Sequence, residues 1–170
     1  MGDGAERGNH VKAITLSLPT AQLAGRMRDR LDGSANKANQ VIWTKGTRRL
    51  LVFVDSLKVR SVDGWLLAQL DAQTDQTGRQ TLKFIFYAGR QHEGEGTHAA
   101  VVTHAATVQA AQIAEVWEHD LQRVLWDAVL DAIELSMSRA AAQAPNQPLT
   151  LEGYYADAQA FHVNILAGVS

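Results

Sequence analysis

The stretch Leu51–Tyr87, LVFVDSLKVRSVDGWLLAQLDAQTDQTGRQTLKFIFY, decides how this chain folds. It is rich in β-branched and aromatic residues and is punctuated at Asp63-Gly64 and Thr77-Gly78. That is the pattern of antiparallel strands joined by tight turns. Asp63-Gly64 carries the sharper signal, because a two-residue type I′ turn there sets Val62 opposite Trp65. The same register pairs Val59 with Ala68 and Leu57 with Leu70 on a core face, with Leu51, Phe53 and Leu66 beside them. Ser56, Lys58, Arg60, Gln69, Asp71 and Gln73 fall on the other face.

Parity decides the second turn. A two-residue Thr77-Gly78 turn sends Leu82, Phe84 and Phe86 to the polar face, since a one-residue slip flips every side chain. A three-residue loop, Gln76-Thr77-Gly78 with Gly78 left-handed, returns them to the core. It sets Leu82 by Ala72, Phe84 by Leu70 and Phe86 by Ala68, with Lys83 opposite Asp71 as a favourable cross-strand pair.

Upstream, Lys45-Gly46 punctuates the start of the same region. Farther back, His10–Leu18 alternates as a strand, and Pro19 and Thr20 interrupt it, with Thr20 suited to an N-cap. Leu23, Met27 and Leu31 then form a stripe every four residues, and Gly33 supplies a stop, so a short helix is predicted over about 21–32. Downstream, a Gly-rich linker over 89–96 leads to a strand at about 97–104.

From Thr107 to about Ala142 the period becomes helical, with Ala110, Ile113, Trp117, Leu121, Val124, Ala128, Ala132 and Leu135 in one apolar stripe. Pro145 and Pro148 end it. Trp126, Leu130, Ile133 and Met137 make a second stripe on nearly the opposite side. A helix apolar on two sides needs two packing partners. The sheet is one, and either the C-terminal segment or another subunit is the other. Within that segment 151–160 reads as a short helix and 161–166 as a last edge strand.

The fold class is therefore α+β: an antiparallel β-meander of about five to six strands on one long helix in the C-terminal half, with a short helix after the first strand. Residues 1–9 read as a flexible N-terminal tail and 10–170 as a single α+β domain.

Composition narrows function mainly by exclusion. Among 170 residues, hydrophobic types make up 46% and charged types 20%, an ordinary globular balance. With 16 Lys plus Arg against 18 Asp plus Glu, the net charge of -2 gives no long-range attraction to nucleic acid or anionic membrane. Cysteine is absent, which removes disulfides, thiol nucleophiles and thiolate metal sites. No run approaches the length of a membrane span, and a cytoplasmic location is the expectation.

The one metal candidate is His92, Glu95 and His98, with Glu93 between them, in a glycine-containing loop that matches no established ligand spacing. Glu115 and His119 are spaced as solvated helix partners. His104 reads as a partly buried structural histidine. Arg26, Arg28, Arg30 and Lys37 read as a solvated helix face diluted by Asp29 and Asp32. No nucleophile elbow, Ser-His-Asp arrangement or phosphate loop is legible, so no catalytic residue and no cofactor is assigned.

The polar sheet face is interrupted by Leu50, Val52, Val54, Val62, Trp65, Leu67, Ile85 and Tyr87, enough apolar surface to suggest a covered patch. The preferred reading is a non-catalytic interaction or assembly protein, homo-oligomeric or bound to another protein. Its contacts are Trp126, Leu130, Ile133 and Met137 on the helix and Trp65, Leu67 and Tyr87 on the sheet. Neither nucleic acid nor membrane is an expected partner. The element order is similar to that of helix-grip folds such as the Bet v 1-like or START-like group. That likeness implies the alternative, a small apolar ligand-binding protein or enzyme with a cavity between sheet and helix. Ala68, Ala72, Ala110, Ala128 and Ala132 favour close helix–sheet packing instead.

Overall fold

A computed structural model describes residues 10–32, 39–89 and 101–168. In chain order the elements are β1 (Lys12–Pro19), α1 (Thr20–Asp32), β2 (Gln40–Lys45), β3 (Arg48–Val62), β4 (Trp65–Thr74) and β5 (Gly78–Tyr87). They continue with β6 (Val101–Ala105), α2 (Val108–Gln143), β7 (Leu149–Ala156) and β8 (Ala160–Ala167). β2 to β6 form a five-stranded antiparallel meander in sequence order, and a second sheet has the order β1-β8-β7. The fold is α+β, with one long helix and a short helix after the first strand.

The hairpins follow from local chemistry. Val62 faces Trp65 and Val59 faces Ala68, as the Asp63-Gly64 turn requires. Only Gly64 of that pair has positive φ, at 80°, so the turn follows the type II pattern rather than type I′, which needs positive φ at both central residues. Gly46, at φ 63°, opens the β2–β3 turn, where Lys45 faces Arg48.

Between β4 and β5 the loop does hold three residues, but they are Asp75-Gln76-Thr77, between paired Thr74 and Gly78. Thr77 explains the difference: its hydroxyl accepts from the Thr74 amide and the Thr74 hydroxyl, both at 3.0 Å, closing the loop before Gly78. The register therefore moves by two residues. Leu82 meets Leu70, Phe84 meets Ala68 and Phe86 meets Leu66, and Lys83 faces Gln69 instead of Asp71. An even shift preserves the faces, so Leu82, Phe84 and Phe86 are fully buried as the alternation demands. Asp71 is held by Thr81 at 2.7 Å and Arg79 at 2.9 Å.

β3 departs further. Phe53 pairs with Asp71 and Lys58 with Gln69, five steps along β3 against two along β4, so the expected Leu57–Leu70 pair is lost in an irregularity. Ser56 bridges the gap, accepting from the Asp71 amide at 2.8 Å and donating to the Phe53 carbonyl at 2.6 Å. An odd number of extra residues inverts the faces upstream. Leu50, Val52 and Val54, expected outside, are buried, and Phe53, expected in the core, is on the outer face beneath the Arg79 guanidinium at 4.1 Å. Leu57 is buried on the far side of the break.

Both helices pack on the inner face. Leu23, Met27 and Leu31 of α1 are buried, and α1 is tied to α2 by Arg30, which grips Asp131 through two 2.6 Å hydrogen bonds. Thr107 caps α2 by accepting from the Ala110 amide at 3.0 Å. Ala110, Ile113, Trp117, Leu121, Ala128 and Ala132 are buried as the periodicity requires, while Val124 and Leu135 of the same stripe are half-buried.

The C-terminal segment differs from its reading. Residues 149–156 form strand β7 rather than a short helix, and β8 lies centrally between β1 and β7 rather than at an edge. Its alternation explains this: Phe161, Val163 and Ile165 face the core beside Leu18, Leu16 and Ile14. One apolar cluster contains residues from both sheets and both helices. Two backbone hydrogen bonds join the sheets at a corner, from Gly64 to Ala156 and from Ala156 to Ala88, and a third within the meander runs from Ala88 to Gly64, at 2.8 to 2.9 Å.

Candidate functional site

The outer face of the meander carries a set of adjacent apolar side chains. Cross-strand register lays down one row of Val62, Trp65 and Tyr87, and a second of Arg60, Leu67, Ile85 and Val102. A third row, Lys58, Gln69, Lys83 and His104, is polar. Trp65 and Tyr87 meet edge to face with centroids 5.1 Å apart. Trp65 remains 39% exposed and Val102 56%, while Leu67, Ile85 and Tyr87 are half-buried among their strand neighbours. Lys58, Arg60 and Lys83 make no ion pair among the described residues. His104 is exposed on this face, not partly buried.

The second stripe of α2 lies elsewhere. Trp126 stacks on Phe86 with centroids 5.9 Å apart and touches Tyr154 of β7 at 6.1 Å. Ile133 is buried, Met137 is packed against the core, and Leu130 is left 36% exposed. Burial among these rings raises the Tyr154 pKa. The chain's own C-terminal strand thus covers Trp126, whereas Trp65 and Leu67 lie on the opposite face of the meander from both helices.

His92, Glu95 and His98 lie outside the described residues. Among the described residues, no group of three or more His, Asp or Glu could hold a metal ion. Arg28 and Arg30 of the first-helix cluster are engaged, Arg28 on the Leu57 carbonyl at 2.8 Å and Arg30 on Asp131. The ion pair raises the Arg30 pKa and lowers that of Asp131. Glu115 and His119 are both exposed on α2. A groove of about 570 Å³ opens at the rim, between the β2–β3 turn and the start of α2, lined by Arg48, Arg49, Thr74, Asp75, Gln112 and Trp117.

A third arrangement was not legible in the sequence. On the outer face of the small sheet, Ser17, His162 and Tyr155 occupy one rung across β1, β8 and β7. Ser17 Oγ is 2.7 Å from His162 Nδ1, and His162 Nε2 is 2.7 Å from Asp157 Oδ2. Asp157 also accepts from the Gln159 and Ala160 amides at 2.8 and 2.9 Å. Those two backbone donors, followed by His162, lower its pKa to about 2. Tyr155 stacks on the His162 ring at 4.6 Å. Residues 17 and 162 are 145 positions apart, so only strand pairing reveals the row.

The fold therefore defines an α+β protein of two antiparallel sheets enclosing one long helix. Comparison with protein-family models, with curated proteins and with solved structures found no match. No helix among the described residues is long and apolar enough to cross a membrane.

Proposed function

We propose that the chain is an interaction or assembly protein that self-associates through the outer face of its five-stranded sheet, and that this contact is not itself catalytic. The observation that carries the reading is the contiguous pair of rows with Trp65 and Val102 exposed and Leu67, Ile85 and Tyr87 between them. Apolar side chains scattered singly need no explanation, but adjacent rows on one face mark a contact surface. The rim adds direction. Lys58, Arg60 and Lys83 border the patch without acidic partners among the described residues. The solvent face of α2 presents Glu115, Leu130 and Glu134, with Arg123 exposed among them and Asp127 half-buried beside Arg30. A sheet face meeting the helix face of a second copy places Leu130 on the apolar rows and brings Glu115 and Glu134 toward the basic rim, with Arg123 left to the solvent edge of the contact. A contact between two different faces is heterologous and closes into a ring or extends. A cytoplasmic setting belongs to this reading.

Light scattering on the purified protein tests it. Oligomers are expected at micromolar concentration, and Trp65→Asp is expected to return the chain to a monomer that circular dichroism shows to be still folded, since Trp65 lies outside the buried core. A wild-type monomer at that concentration removes the proposal.

A further inference from the structure

We propose that Ser17 is an activated nucleophile, with His162 as its general base and Asp157 as the positioning residue, and that it accepts the acyl group of small esters. The geometry assigns the protons. An ionised Asp157 carboxylate only accepts hydrogen bonds, so the 2.7 Å contact places the ring proton on His162 Nε2. In the neutral form that a general base requires, His162 then presents Nδ1 as the acceptor, and the 2.7 Å contact lets Ser17 donate its hydroxyl proton to it. A base fixed on one side by a carboxylate and on the other against a hydroxyl is the relay that nucleophilic serine chemistry needs, recognised by geometry and not by chain order. The two backbone amides on Asp157 and the Tyr155 ring on His162 hold the relay rigid, and Ser17 is exposed to solvent.

The next rung supplies two further parts. Thr15 faces Asn164, and the Thr15 hydroxyl donates to Asn164 Oδ1 at 2.9 Å. That bond orients the amide, so the Asn164 Nδ2 hydrogens are donors without an acceptor among the described residues, one rung from Ser17 on the same face. A side-chain amide so placed suits the oxyanion of an acyl-transfer intermediate. Gly153 faces Asn164 across β7, and a Cβ built there meets nothing within 4 Å. Gly153 therefore leaves the far side of Asn164 unobstructed.

Ser17 Oγ attacks the ester carbonyl carbon while its proton passes to His162 Nδ1. The oxyanion so formed accepts from Asn164 Nδ2. Collapse breaks the bond to the leaving oxygen, which takes the proton back from His162 and departs as the alcohol. Water then attacks the acyl-serine with His162 again as base, releasing the carboxylic acid and restoring Ser17.

The test uses the full chain with p-nitrophenyl acetate and a fluorophosphonate probe, with circular dichroism confirming that each variant is folded. Wild type is expected to release p-nitrophenol and to carry the probe on Ser17, as located by peptide mass spectrometry. Ser17→Ala is expected to abolish both, His162→Gln to slow them by about 100-fold or more, and Asn164→Ala to lower turnover about 100-fold. Asp157→Asn is expected to lower kcat per folded molecule, with the folded fraction fixed by circular dichroism, while leaving KM unchanged. Trp65→Asp is expected to leave the reaction intact, which separates this site from the assembly surface. Absence of probe on Ser17 in the folded wild type overturns the proposal, as does equal labelling in His162→Gln. In either case the row acts only to lock strand register.

Discussion

The Asp157 carboxylate accepts from two backbone amides and from His162, and these three donors hold the β7–β8 turn in one shape. They also tie its protonation to folding. The folded pKa, about 2, lies below the ordinary value of 3.8, so the native state favours the charged form. Such a group contributes stability that is complete above the unfolded value and is lost as pH falls through the folded one. Acid denaturation of the wild type should therefore steepen as pH falls from about 3.8 to about 2. In Asp157→Asn that part of the pH dependence should be missing, with the Asp131 contribution remaining. An unchanged acid limb, followed by circular dichroism at a series of pH values, would refute the assignment. Arg30 and Asp131 act similarly between the helices, but with Arg30 47% exposed their attraction is screened by water.

At the scale of elements, turns and one strand irregularity decide what faces the core. Gly64 combines positive φ with a backbone bond donated to Ala156 of β7 and one accepted from Ala88, just after β5. Gly64→Ala introduces no clash, because a Cβ there meets nothing within 4 Å. Its cost is conformational, about 1–2 kcal/mol for an L-residue held left-handed. Chemical denaturation should register that loss as a lower midpoint with an unchanged slope, and a neutral result would show that the corner relaxes around the new residue. The irregularity in β3 works through parity. It turns Leu50, Val52 and Val54 inward upstream while Leu57 remains inward downstream. Ser56 makes this affordable by serving as both donor and acceptor where the ladder is interrupted.

For the whole molecule, the long helix is the shared core of two sheets. Trp126 lies between Phe86 of the meander and Tyr154 of the small sheet, and Phe161 continues the contact at 5.6 Å from Tyr154. The corner of backbone bonds among Gly64, Ala88 and Ala156 links the same sheets. Because one apolar cluster spans both, they should unfold together. Tryptophan fluorescence and far-ultraviolet circular dichroism should give superimposable denaturation curves. Two separated transitions would show that the small sheet folds independently.

Hydrophobic period and turn residues in the sequence were enough to establish the α+β class, both helices, the meander order, and the inward faces of β4 and β5. These properties depend on neighbours a few positions apart: the Leu23, Met27, Leu31 stripe, the Asp63-Gly64 turn, the alternation through Phe84 and Phe86. Side-chain geometry and tertiary structure decided the rest. The Thr74–Thr77 hydrogen bonds, local but invisible to hydrophobic period, moved a register by two residues, and Ser56 bridged an irregularity that periodicity cannot locate. The last segment, with too little helical or strand pattern to choose, became β7 because β8 and the Trp126 side of α2 offered it an edge and an apolar contact. The Ser17–His162–Asp157 row arose from joining the first strand to the last. The physical reason is range: local pattern carries energies set within a turn or two of the chain, whereas strand partners separated by 145 positions meet only when the whole core closes.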